Sequence, residues 1–260
     1  DGDDAEARLK RASAYAPPDA RFWPVVRIRN DKSLAEGVDR FVAAITRPAA
    51  FCVPVLGLVG CSASGKSTVC AELPAAAVIA ADDFYKPRDA CPRFDLAADI
   101  RWPAGVPDAF QERGNADLNH PDSVDWAACA DAVDAAVDKV VDAGGAGVVV
   151  VEGLLLLGAG AERVRDRCAQ LVLLDDGYDD PAKQKVLWRR KWTRSGHLGK
   201  KSYEERGVTA EEYAAYWGDY VSAAWKQHGL DRVEAAGRPI HRVDAHADDR
   251  SAQVEALLRS

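Results

Sequence analysis

Methionine is missing from all 260 positions, the initiator included. A processed or partial chain accounts for that and leaves open a targeting segment lost from the N-terminus. Also absent is any apolar run long enough to cross a bilayer, and the start Asp1-Gly2-Asp3-Asp4 is acidic where a secretory signal is basic and then apolar. Positive charge is in short supply: 34 Lys and Arg stand against 41 Asp and Glu, a net charge of -7. That argues against a general nucleic-acid surface and against an anionic membrane as partner, but not against a nucleotide held in a locally basic cleft. No C-x-x-C or zinc-type spacing links the six cysteines, Cys52, Cys61, Cys70, Cys91, Cys129 and Cys168, and the five histidines have no metal spacing either. Reduced core thiols in a reducing, cytoplasmic setting are the expectation.

What is present points to one large catalytic domain. The chain is long enough for a single α/β domain with a full core and short of what two would need, and its 48% hydrophobic and 29% charged composition is that of a globular protein. Residues 1–50 read as an N-terminal extension with a packing role. It has a polar start, a Pro17-Pro18 break and a helix capped by Ser33 that runs through Leu34, Val38, Phe41, Val42 and Ile45. The Arg27/Arg29 pair reads as a solvated strand face.

The rest is organised around Gly60-Cys61-Ser62-Ala63-Ser64-Gly65-Lys66-Ser67-Thr68, which fits G-x-x-x-x-G-K-[ST]. Backbone amides of such a glycine-permitted turn converge on an anion, Lys66 adds a mobile charge for the β- and γ-phosphates, and the Ser67 hydroxyl suits Mg²⁺. The context is the required one. An apolar run of strand length, Cys52 to Val59, precedes the loop, and a helix starts after it.

Further apolar runs each end in an acid: Ala75 to Ala81 before Asp82-Asp83, Val148 to Val151 before Glu152-Gly153, and Leu171 to Leu174 before Asp175. Between them lie helical stretches, the clearest from Asp125 to Asp142. There Trp126, Cys129, Ala130, Val133, Val137, Val140 and Val141 share a face, and Gly144-Gly145 stop the helix. Short apolar strands alternating with helices predict a three-layer α/β fold of the P-loop NTPase type, a parallel sheet covered on both faces, with Gly60, Asp82 and Glu152 on one rim.

An Asp on that rim can take a proton from an attacking hydroxyl or hold a metal-bound water, and Asp82 is the candidate; an Asp pair opening a turn is the plainer alternative. Glu152 is the candidate partner of the phosphate loop at Mg²⁺, a turn cap being its alternative. Lys183 to Arg206 holds nine Lys/Arg against two Glu in an otherwise acidic chain. Asp180-Pro181 opens a helix, Arg189, Arg190, Lys191 and Arg194 gather at its end, and Ser195 to Lys201 reads as a mobile loop, so residues 190–208 form a candidate lid that neutralises charge and excludes water. Cations drawn to a helix C-terminus are the alternative. Thr209 and Glu212 form a capping box, followed by a stripe of Tyr213, Trp217, Tyr220, Val221 and Ala224 that is mainly core, with one or two rings free to stack on a base.

Taken in order, Gly60 to Thr68, Asp82 to Pro87, Asn119-His120-Pro121-Asp122-Ser123, Glu152-Gly153 and Arg189 to Arg194 resemble the uridine kinase-like P-loop kinases. Within them, Asp82-Asp83-Phe84-Tyr85-Lys86-Pro87 and the segment Tyr216 to Val221 are most similar to nicotinamide riboside kinases. The resemblance spans about residues 54 to 258. It implies ATP and Mg²⁺ as cofactors and a 5′-hydroxyl of a small riboside as acceptor. Asp82 would be the general base and a Mg²⁺ neighbour, with Asp83, Phe84, Tyr85, Asn119 and His120 at the acceptor. Gly60, Ser62, Ser64, Gly65, Lys66, Ser67 and Thr68 would hold the phosphates. Arg190 would face ATP, Lys191 the acceptor, and Arg194 would close over the phosphates; Asp244-Ala245-His246 would lie near adenine. The metal set would be Ser67, Asp82 and Glu152.

Two departures stand out. Asn119 occupies the place where the family has an Asp that grips the ribose diol, and a carboxamide offers one acceptor oxygen where a carboxylate offers two. Asp117 and Asp122 are candidate substitutes. Lys191 replaces a usual Arg, exchanging a planar fork for a point charge. Residues 88–118 form a long insertion from which Trp102, Phe110 and Arg113 could cover the acceptor. Uridine/cytidine kinase or another small-metabolite kinase is the alternative enzyme, and a nucleotide-binding regulator without an acceptor site the alternative outside enzymes. Monomer and homo-oligomer both stay open.

Overall fold

The computed structural model describes residues 53–93, 101–102, 116–144, 147–194 and 201–258, all within one compact unit, Val53–Ser260. The expectations for the N-terminal extension, for most of the 88–118 insertion with Phe110 and Arg113, and for the Ser195 to Lys200 part of the lid lie outside the described residues.

Five strands make one parallel sheet: β1 (Val55–Gly60), β2 (Ala75–Ala80), β3 (Val148–Gly153), β4 (Gln170–Asp175) and β5 (Ile240–Asp244), in the order β2-β3-β1-β4-β5. Among the described residues the α-helices are α1 (Lys66–Glu72), α2 (Trp126–Asp142), α3 (Glu162–Arg165), α4 (Pro181–Thr193), α5 (Ala210–Tyr216), α6 (Ala223–His228) and α7 (Arg250–Leu258). Because strand side chains alternate, β1 sends Val55 and Val59 into one core and Leu56 and Leu58 into another. The first core joins α2, α4, α5 and α6; the second joins α1 and α7. Helices thus cover both faces of a sheet whose central strands are built on apolar runs, the three-layer arrangement that a parallel sheet requires.

The register sets the rim. Leu58 lies beside Glu152, Ala80 beside the same Glu152, and Gly60 beside Leu174. The carboxyl ends of β1, β2 and β3 therefore bring Gly60, Asp82 and Glu152 together, as the apolar runs ending in acids predicted. β2 and β3 lie on one side of β1 and β4 and β5 on the other, so the strand order reverses beside β1, where sheets of this kind open a ligand crevice.

On α2 the expected face is present: Trp126, Cys129, Ala130 and Val133 are buried, and Val137 and Val140 pack half-buried against the same core. One local expectation needs correction. The stretch after Thr209 is not one α-helix. The capping box is there, but Trp217–Ser222 winds as a π-helix between α5 and α6. The wider turn adds a residue to the repeat, so the buried position after Val221 and Ser222 is Trp225 rather than Ala224.

Trp225 is fully buried, and Gly229 gives it room: a β-carbon on Gly229 would stand 2.1 and 2.2 Å from ring atoms and 2.7 Å from the Trp225 carbonyl oxygen. Relief requires moving a ring locked in the core. Gly229→Ala is expected to lower unfolding free energy by about 1–3 kcal/mol in denaturant titrations; a loss within experimental error would show that the ring has freedom the packing denies it.

Candidate functional site

The loop after β1 has the backbone of an anion cradle. Ala63 adopts φ 63°, the left-handed region that a non-glycine residue enters only at a cost of about 1–3 kcal/mol. Gly65 adopts φ 96° at the cap of α1, and alternating handedness of this sort turns successive amides inward. Gly60 is needed for space, since a β-carbon there would meet Ser64 Oγ at 2.6 Å. Ser64 is wholly buried beneath the loop, its amide donating to the Cys61 carbonyl at 3.2 Å and its hydroxyl without a partner. Its side chain therefore shapes the loop from below. Ser62 and Gly65 are half-buried along the loop, and Ser67 and Thr68 are exposed in the first turn of α1.

Lys66 Nζ donates to the carbonyls of Gly60 (3.0 Å) and Cys61 (3.1 Å), which folds the amine back over the loop. Ser67 Oγ donates to Glu152 Oε1 at 2.8 Å across 85 residues of sequence. Among the described residues no group of three or more His, Cys, Asp or Glu could hold a metal ion alone. The hard oxygen donors present, a hydroxyl and a carboxylate on one rim, fit Mg²⁺, which takes few protein ligands and completes its shell with phosphate oxygens and water.

Asp82 and Asp83 are exposed in the single turn Ala81–Phe84 that follows β2. Phe84 packs on the core, and Tyr85 pairs with Val124; burial, with the charges of Asp82 and Asp117, pushes the Tyr85 hydroxyl above its usual range. From the opposite side α4 brings Lys191. Burial lowers its pKa, the nearby charges of Arg194 and Lys66 lower it further, and Asp82 opposes them. Lys66, Lys191, Arg194 and Asp82 are thus electrostatic neighbours although up to 128 positions separate them in the chain (66 to 194). Arg190 is exposed one residue earlier on α4.

Beside this cluster lies a cavity of about 220 Å³. Ser62, Asn119 and Lys191 reach it, and Tyr203, Tyr213, Tyr216 and Tyr220 wall it. The rings stack in series at centroid distances of 4.6 Å (Tyr203 to Tyr213), 5.7 Å (Tyr213 to Tyr216) and 5.6 Å (Tyr216 to Tyr220). Trp102 covers Tyr216 and Tyr220 at 5.3 and 5.9 Å, and Arg101 grips Asp219 through two guanidinium nitrogens at 2.7 and 2.8 Å. Asp117, named as a substitute for the missing carboxylate, stands in the chain between the wall residues Ala116 and Leu118 and accepts from the Tyr220 hydroxyl at 2.6 Å and the Asn119 amide at 3.0 Å. Asp122, the other substitute, is exposed and 3.8 Å from His120. His120 packs its ring edge-on against His228 and accepts from the Asp122 amide. Its ring is not among the residues lining the cavity.

Asp244 ends β5 and His246 stands two residues past it. Asp244 pairs with Lys183 at 2.9 Å, and His246 Nε2 donates to the Asp176 carbonyl at 3.2 Å. These bonds tie the loop after β5 to the start of α4.

Sequence reasoning passed over Asp176, Arg88 and the full tyrosine series. Arg88 lines the cavity and Tyr203 and Tyr216 complete its wall; a Tyr at 213, 216 and 220 was a visible helical repeat. Asp176 follows Asp175 as a second acid at a strand end, and nothing in that pair says which one turns inward. It is fully buried, accepts from Gln184 Nε2 (3.0 Å) and Trp225 Nε1 (3.3 Å), and lies against the Cys61 thiol. Burial and the Asp176 charge push that thiol far above its usual range. Gln184 in turn accepts from Trp217 Nε1 (3.2 Å) and Ser222 Oγ (3.4 Å). One carboxylate therefore joins the phosphate loop, α4 and the π-helix that carries the cavity wall.

The strand order, the cradle after β1 and the acid on β3 define a P-loop nucleotide-binding fold of the α/β class. No family model and no curated protein matches the chain. Solved structures similar to it include a chain provisionally named a fructose transport system kinase from Silicibacter sp. TM1040. That chain is 18% identical, with 81% of this chain and 98% of that one covered and a TM-score of 0.43. Another is named a sugar kinase from Janibacter sp. HTCC2649, 17% identical, with 79% and 92% covered and a TM-score of 0.40. Similarity at this level carries no conclusion about activity or substrate.

Burial raises the Asp176 pKa above the ordinary carboxylate value, against the pull of Gln184 and Trp225. Between the unfolded and folded values the native state holds more protons, so this group lowers stability as pH rises through that interval. Asp176→Asn removes the dependence. The melting-temperature difference, variant minus wild type, is expected to move in the variant's favour as pH rises from the ordinary carboxylate range through the raised value; a flat or opposite trend would mean that the carboxylate is stabilised where it lies.

Proposed function

We propose that the chain is an ATP- and Mg²⁺-dependent phosphotransferase acting on a hydroxyl of a small metabolite. The observation that carries the proposal is the convergence of Lys66, Lys191 and Arg194 with the exposed carboxylate of Asp82, between a phosphate-type loop and a tyrosine-walled cavity. In this mechanism the loop amides and Lys66 would hold the triphosphate, and Ser67 and Glu152 would hold Mg²⁺, which when bound would supply charge neutralisation at the phosphates. Asp82 accepts the proton as the acceptor oxygen bonds to the γ-phosphorus and the bond to the bridging oxygen breaks, releasing ADP. Lys191 and Arg194 offset charge on the transferring group, and Arg190 and the loop after β5, with Asp244 and His246, serve the nucleotide. Phe84, Tyr85, Asn119 and the tyrosine wall hold the acceptor, with His120 supporting Asn119 and Asp83 at the mouth. The 190–208 segment acts as the lid and the 88–118 segment as the acceptor cover.

Within that reaction, the 5′-hydroxyl of a riboside is the acceptor the sequence resemblance favours, with nicotinamide riboside first. The tyrosine faces suit its cationic ring. A second reading rests on Lys191 and Arg88 in the same wall, two cations that favour an uncharged or anionic acceptor such as uridine, cytidine, a sugar or pantothenate. A coupled assay of ADP release across nicotinamide riboside, uridine, cytidine, a hexose panel and pantothenate separates the two. Acceptor-dependent turnover with one of them is expected. Tight ATP binding without any such turnover would make the chain a nucleotide-binding regulator instead.

Asp82→Asn is expected to reduce single-turnover phosphoryl transfer by about 10²–10⁴-fold, with ATP affinity within about twofold of wild type because the loop and Lys66 are intact. Unimpaired transfer would remove Asp82 from the role of base.

A further inference from the structure

Arg250 opens α7, and its side chain reaches back to the phosphate loop. Its Nε, Nη2 and Cζ atoms lie 3.3, 3.6 and 3.7 Å from the point a β-carbon on Gly65 would occupy. The absence of a side chain at Gly65 thus serves two ends, the left-handed turn and a seat for a guanidinium. Nη1 donates to the Ala247 carbonyl at 3.1 Å, which fixes the fork. Nε is buried without a partner, and a buried donor of this kind is destabilising unless something compensates.

The charge is equally unbalanced. A cation in the first turn of a helix lies at the end where its dipole favours anions. Among the described residues no carboxylate pairs with Arg250; of the acids nearby, Asp249 accepts from Gln253, Glu72 on α1 accepts from Ser251, and Asp248 is exposed. Lys66 is likewise bonded only to carbonyls. Two cations, Lys66 and Arg250, therefore border one loop of inward-turned amides without a counterion of their own. Folding alone gives no return for such an arrangement, whereas an anion delivered to the loop does.

We propose that Arg250 is a binding residue for the polyphosphate chain of the nucleotide, a second fixed cation of the loop beside Lys66. This rests on the reading of Gly60 to Thr68 as a nucleoside triphosphate site. The contact is to phosphate charge, and recognition of the base is the alternative the experiment excludes.

The test is calorimetric binding of ATP, inorganic tripolyphosphate and adenosine to the full chain, with Arg250→Gln and Arg250→Lys, over a range of salt concentrations. Arg250→Gln is expected to weaken ATP and tripolyphosphate alike by about tenfold or more, the scale of a charge-assisted hydrogen bond. Adenosine affinity is unchanged, and the salt dependence of ATP binding becomes shallower. Arg250→Lys, which keeps the charge, retains most of the salt dependence. Unliganded melting temperatures of the three proteins separate a binding effect from a folding defect. Should Arg250→Gln fail to fold, the proposal stands or falls on Arg250→Lys, which exchanges the planar fork for a point charge: weaker binding of ATP and tripolyphosphate alike supports it, and wild-type affinity for both overturns it. ATP weakened with tripolyphosphate unaffected would assign Arg250 to the base and overturn the proposal, as would affinities and salt dependence equal to wild type. Wild-type protein that binds neither ATP nor tripolyphosphate would instead remove the triphosphate reading of the loop itself.

Discussion

Like charges repel across the rim of this sheet, and the rest of the molecule is arranged around holding them there. Burial lowers the proton affinity of Lys191, and the charges of Arg194 and Lys66 lower it further. The counterweights are few and specific. Asp82 faces the cluster from the end of β2, and Glu152 faces Ser67 from β3. Asp176 lies beneath the loop, held by Gln184 and Trp225. Removing negative charge from beneath such a loop and adding it above are not equivalent. An acid below fixes the loop's shape, whereas an anion above is what the shape receives.

The network around Asp176 also explains why the acceptor cavity sits where it does. Gln184 belongs to α4, the helix that delivers Lys191 and Arg194, and it binds Trp217 and Ser222 of the π-helix. Trp225, one turn further on, returns to Asp176 itself. The tyrosine wall is thereby indexed to the phosphate loop through hydrogen bonds, not through apolar packing alone. A displacement of either is transmitted to the other by partners that have no second choice in the interior.

Much of this was legible in the chain because the rules involved are local. The glycine-lysine loop, the acids that end apolar runs, the Asp180-Pro181 helix start and the Thr209–Glu212 box each declare themselves within a few residues, and the structure has them in place. What stayed hidden depends on geometry between distant segments. Asp175 and Asp176 look alike in sequence, yet one pairs with Arg242 at the surface and the other is buried. Arg250 gave no signal, since its meaning comes from Gly65 at the cap of another helix. The π-turn was missed because its sequence satisfies an α-helical stripe up to Val221. Only the burial of Trp225 in place of Ala224 reveals the extra residue.

That extra residue lets one run of helix carry two duties. Tyr213, Tyr216 and Tyr220 address the cavity, and Trp225 addresses the foundation of the phosphate loop. In an unbroken α-helix Trp225, five residues after Tyr220, would stand about 140° around the axis from it, and Ala224 would take the buried place. The wider turn absorbs the surplus residue and returns the indole to the buried stripe. Ligand wall and anchor thus ride on a single rod, whose phase is set by the one segment that departs from α-helical winding.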